Sequence, residues 1–127
     1  MPAIFTTSVN DARGTVEIHF ASTRLEHNLS SQQQRVRAYG SAAATKILLR
    51  LSQLHAAPDL EAARALPGRC HELHGDRKGQ LAITVSGGLR LVFEPVKHPP
   101  PQRPDGGLDW GAVTVIRILE VTNYHDD

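Results

Sequence analysis

Three features of this 127-residue sequence predict an α+β domain with helices packed on one face of a mainly antiparallel sheet. Apolar residues alternate with period two near the start, change to helical spacing from Ser22 to about Ala57, and return to period two from Arg69 onward. The second extended region is cut by turn signals into four runs, while the helical region is closed by Pro58. The length suits one domain, and 40% apolar with 21% charged residues is ordinary for a soluble globular chain.

The elements follow in order. Residues 3–7 are expected to pair with residues 15–20 as a hairpin through Asn10–Gly14, and the run Thr15-Val16-Glu17-Ile18-His19-Phe20 is the first firm strand. Ser22 or Thr23 caps a short helix through Leu29, and Ser30 or Ser31 caps the next. Val36, Tyr39, Ala43, Ile47, Leu51 and Leu54 fall three or four apart, which predicts one apolar stripe, with Gly40 kinking or dividing the helix that carries it. Residues 60–66 make a further short helical turn before Pro67. Strands are expected over 69–73, 81–86, 89–94 and 112–121, with Gly87-Gly88 as a tight hairpin. Residues 95–109 hold five of the eight prolines and two adjacent glycines, hence a long irregular hairpin loop.

Charge and cysteine content narrow the function classes. The net charge is only +1, so any nucleic-acid role must rest on a local patch, because phosphate contacts supply most of such affinity. The single cysteine, Cys70, fits a reducing cytosol, and a cytoplasmic location is expected. No apolar run approaches the roughly 20 residues of a membrane span, and the first residues lack the apolar core of a signal peptide.

Chemistry-bearing residues gather in two places. Pro67 to Gln80 sets His71 and His74 beside Arg69, Arg77 and Lys78 around a Gly-Asp-Arg-Lys-Gly turn. On a strand His71 faces with Leu73, and the turn brings Arg77 and Lys78 within reach of an anion. His71 and His74, three apart, point to opposite faces of a strand and chelate poorly, so no metal and no cofactor is expected. Arg90 stands in the apolar run Leu89-Arg90-Leu91-Val92-Phe93, where a guanidinium must meet a carboxylate, Glu94 or Glu120, or face a cleft. The second cluster, Asn123-Tyr124-His125, closes the longest apolar run, where Tyr124 can stack on a base and His125 can shuttle a proton. Trp110 is expected as a packing anchor, and His19, His27, His55 and His98 show no partner.

In order and spacing these residues resemble the RelE/HigB superfamily of type II toxins, in particular its HigB-like (plasmid maintenance killer) branch. The resemblance spans residues 15–125. It is carried by Leu66-Pro67-Gly68-Arg69 leading into His71-Glu72-Leu73, by Gly75-Asp76-Arg77-Lys78-Gly79-Gln80, by Arg90-Leu91-Val92-Phe93 and by Tyr124-His125. It implies a microbial RNase-like fold, a small twisted sheet with an N-terminal helical pair on one face. It also implies a ribosome-dependent mRNA endonuclease acting without metal, partnered by the ribosome, mRNA and a HigA-like helix-turn-helix antitoxin. Carried over, His71 matches the catalytic histidine, Arg90 the phosphate-binding arginine, and Tyr124 and His125 the closing Asp-Tyr-His. Arg69, His74, Arg77, Lys78 and Asn123 would then contact RNA. Asn123 stands where the triplet has aspartate, and His74 where relatives often carry lysine. A ParE-like gyrase inhibitor and a non-catalytic RNA- or antitoxin-binding module are the rival readings. The paired histidine clusters argue against the first, and Asn123 with the low net charge keeps the second open.

Overall fold

A computed structural model describes residues 15–123. The N-terminal hairpin expected over residues 3–7 and the candidate residues Tyr124 and His125 lie outside the described residues.

Strand β1 (Glu17–Phe20) leads into α1 (Thr23–Leu29), whose first turn is capped by Ser22, the Leu25 amide donating to Ser22 Oγ at 3.1 Å. Ser31 does the same for α2 (Gln32–Tyr39) through the Gln34 amide, also at 3.1 Å. Gly40, at φ 89°, stands outside the helical region and divides α2 from α3 (Ser41–Ala56). The chain changes direction there, so the expected apolar stripe does not run through unbroken. Ile47, Leu51 and Leu54 are fully buried, but Val36 is left 37% exposed. In α2 the buried residue is Arg35, whose guanidinium donates to the Leu29 carbonyl at 2.7 Å and so closes the C-terminal end of α1. Asp59 caps the one-turn α4 (Leu60–Ala63) through the Ala62 amide.

The sheet has five strands in the order β1-β5-β4-β3-β2, with β2 at His71–Glu72, β3 at Leu81–Ser86, β4 at Leu89–Pro95 and β5 at Val115–Asn123. Three pairings are antiparallel and β1 runs parallel to β5, so the sheet is mixed. The parallel pair follows from the helices, which carry the chain back across the sheet between its first strand and the rest. Gly87 at φ 55° makes the expected tight β3–β4 hairpin.

Two strands are shorter or later than the residue pattern predicts. β2 starts at His71 because Gly68 and Arg69 both take positive φ, 107° and 53°, and cannot join a ladder. β5 starts at Val115 because Trp110–Ala112 forms a 3-10 turn that buries the indole. Helices cover one face only among the described residues. There Val16, Ile18, Ile47, Leu51, Leu54, Leu81, Ile83, Leu91, Phe93, Ile116 and Ile118 form the main core. The other face carries a small apolar cluster of Leu73, Ala82 and Val92, with Leu119 against it. No helix among the described residues is long and apolar enough to cross a membrane.

Candidate functional site

Ladder register decides which side chains share the helix-free face. His71 pairs with Ala82, Ala82 with Val92, and Val92 with Glu120, so these four form one transverse row. Thr84, Arg90 and Thr122 form the next row. His71 and Arg90 therefore lie on the same face, two strands apart and two residues apart along the strand. By sheet spacing their Cα atoms are about 12 Å from each other, a gap that an arginine and an imidazole can close around one phosphate.

A bulge in β5 completes this face. The register shifts between Val92 and Phe93, so Leu119 and Glu120 together oppose Val92. Strict alternation would send Glu120 into the core with Ile116 and Ile118. The extra residue turns it outward instead.

The carboxylates expected as partners of Arg90 are engaged elsewhere. Arg117 donates to Glu94 at 2.8 Å, and Arg77 reaches Glu120 at 2.5 Å. Arg77 also donates to Gln80 Oε1 at 2.9 Å. The 3-10 turn Gly75–Arg77 thus sends its arginine back over the sheet to β5 instead of outward to solvent. Lys78, on the same turn, is exposed, as are His74, Arg69 and Asn123. Arg90 itself donates through Nη1 to the Gly88 carbonyl at 3.1 Å, which bends its side chain along the β3–β4 hairpin.

His71 is held by its own chain. Its Nδ1 lies 2.7 Å from the carbonyl oxygen of Arg69. A carbonyl only accepts, so Nδ1 carries the hydrogen, and in the neutral ring the basic lone pair sits on Nε2. The carbonyl is aimed by the turn before it. Gly68 packs so closely on β3 that an added Cβ would lie 2.6 Å from the Thr84 carbonyl oxygen and 2.9 Å from Ile83 Cγ1. The Thr84 amide donates back to the Gly68 carbonyl at 2.8 Å, and Arg50 of α3 donates to the Thr84 carbonyl, also at 2.8 Å. The turn that orients the imidazole is thus tied to both the sheet and the longest helix.

On the outer side of β2 lies a cleft of about 390 Å³ lined by Arg64, Arg69, His71, Glu72, His74 and Trp110, with Cys70 in its wall. The Arg64 guanidinium sits over the Trp110 ring at 4.0 Å, and the indole N–H donates to Glu72 at 3.3 Å. Burial pushes the Cys70 thiol up to about 12, with the charge of Arg64 opposing, so this cysteine is not nucleophilic at neutral pH. Arg64, Glu72 and Trp110 carry no motif that would mark them in the sequence. They meet because α4, β2 and the turn before β5 converge.

Two histidines to which the residue pattern assigns no partner have one. His55 bonds through Nδ1 to the Val16 carbonyl at 2.9 Å, joining α3 to the chain just before β1, and His19 contacts Glu17. Among the described residues no three of His, Cys, Asp and Glu are grouped as a metal would need. No protein-family model matches this chain, and no curated protein matches it.

Proposed function

We propose that this protein is a metal-independent endoribonuclease of the toxin type, cutting mRNA on the ribosome by attack of a ribose 2′-OH on the adjacent phosphate. The observation that carries the reading is the shared helix-free face of His71 and Arg90, with the imidazole tautomer set by the Arg69 carbonyl. His71 acts through Nε2 in one of two roles, taking the 2′-OH proton when neutral or protonating the departing 5′ oxygen when charged, and His125 takes the other. The products are a 2′,3′-cyclic phosphate and a 5′-OH. Arg90 holds charge that builds on the phosphate, and Tyr124 and His125, which directly follow the end of β5, supply a stacking ring and the second proton-transfer group. Each correctly placed proton transfer contributes about 10²–10⁴-fold.

A net charge of +1 and two arginine–glutamate pairs on the face leave few cations for naked RNA, so alignment by the ribosome fits the reading. The same pairs favour the second reading, a module of this fold that binds RNA or an antitoxin without cutting. Primer extension on cellular mRNA after induction separates them. Discrete new 5′ ends, lost in His71→Ala and Arg90→Ala while both variants stay folded, are expected. Intact mRNA under growth arrest would discard the nuclease reading, and so would unchanged cutting by folded His71→Ala.

A further inference from the structure

The cleft on the outer side of β2 gathers more cationic than acidic side chains. It sets two guanidinium groups, Arg64 and Arg69, and two imidazoles, His71 and His74, against one carboxylate, Glu72, whose oxygen already accepts from the Trp110 indole. Arg64 lies over that indole, which orients its planar donor edge before any ligand arrives. Its other partner, Glu61 at 3.4 Å, forms a pair with both side chains about half exposed, a contact weak enough for a phosphate to replace. Arg69 is held in place by a turn of two successive positive-φ residues locked against β3. The cleft volume, about 390 Å³, is of the size that takes a nucleotide.

His71 belongs both to this cleft and to the row that leads to Arg90. We propose that the cleft seats the RNA phosphodiester next to the one held between His71 and Arg90, so that the strand passes over the edge of the sheet at β2 with Arg64 and Arg69 as its phosphate contacts. This rests on the RNA-cleaving reading and adds the direction in which the substrate runs.

Trp110 is the only tryptophan of the chain and lies in the cleft wall, so its fluorescence reports occupancy directly. The probes are a 2′-deoxy trinucleotide, which has no 2′-OH to attack, and inorganic phosphate. Expected is a saturable, salt-sensitive change for the trinucleotide, at least tenfold tighter than for phosphate, because two phosphates are engaged together. Arg69→Gly, which a positive φ accepts without strain, should weaken trinucleotide binding at least fivefold at an unchanged or higher Tm. Arg64→Ala, followed by calorimetry, should do the same. Trinucleotide binding no tighter than phosphate, or unaltered in folded Arg69→Gly, overturns the assignment. Primer extension on the same proteins separates the two ideas: cleavage without cleft binding removes the cleft alone, and cleft binding without cleavage removes the nuclease reading alone.

Discussion

His71 donates its Nδ1 hydrogen to the carbonyl of Arg69, and Arg69 is the one non-glycine residue at positive φ among the described residues. The strained turn and the oriented imidazole are two ends of one hydrogen bond. A left-handed conformation costs a non-glycine residue about 1–2 kcal/mol, and such costs gather at working sites. Arg69→Gly should therefore stabilise the fold by up to about 1 kcal/mol, after allowing for the extra freedom of glycine in the unfolded chain. Arg69→Val, β-branched at the same φ, should lose about 1–2 kcal/mol. Urea denaturation of both variants checks the sign, and a less stable glycine variant would show that the arginine side chain itself holds the turn.

Gly68 is the fixed point of that turn. Its φ of 107° and the 2.6 Å approach of an added Cβ to the Thr84 carbonyl leave no room for alanine. Gly68→Ala should cost about 2–4 kcal/mol, since the obstacle is strand backbone and cannot swing aside. A loss under about 0.5 kcal/mol in denaturant midpoints would mean that the turn can lift off β3.

Cys70 should make the fold alkali-sensitive. Its thiol titrates near 12 in the folded state against 9.0 for a free thiol, so above pH 9 the unfolded chain binds fewer protons than the folded one. The stability tied to this group is complete below pH 9 and declines as pH rises, by up to about 1.4 kcal/mol per pH unit. Cys70→Ala should flatten the fall in stability between pH 9 and 11 relative to the native protein. Parallel pH profiles for the two would contradict the buried thiol, as would rapid alkylation of the folded protein at pH 8.

The Arg77–Glu120 pair joins the turn after β2 to the last strand, with side chains 31% and 39% exposed. At that exposure a double-mutant cycle with Arg77→Met and Glu120→Gln should return a coupling of about 0.5–1 kcal/mol, reduced in 1 M salt. Coupling that salt does not touch would point to packing by the arginine stem in place of its charge.

Much of this architecture is written in local patterns. The period-two runs of β3 and β4, the Ser22 and Ser31 caps, the Gly87 hairpin and the break at Gly40 each depend on neighbours a few residues away. The shared face of His71 and Leu73 follows from the strand period alone, and so does the unusual setting of Arg90. What required the tertiary structure is every relation between distant segments. The parallel partnership of β1 with β5 depends on where the helices return the chain. The bulge that turns Glu120 outward answers a conflict between the period of β5 and the packing of Ile116 and Ile118. Arg77, whose place in a glycine turn suggests a cation reaching for a bound anion, finds Glu120 because the turn folds back over the sheet. Arg64, Trp110 and Glu72 enclose a cleft although they lie on three separate elements. A local conformation is decided by steric and capping preferences of adjacent residues, which composition displays. A partner forty residues away is chosen by chain path and burial, and these exist only once the chain has folded.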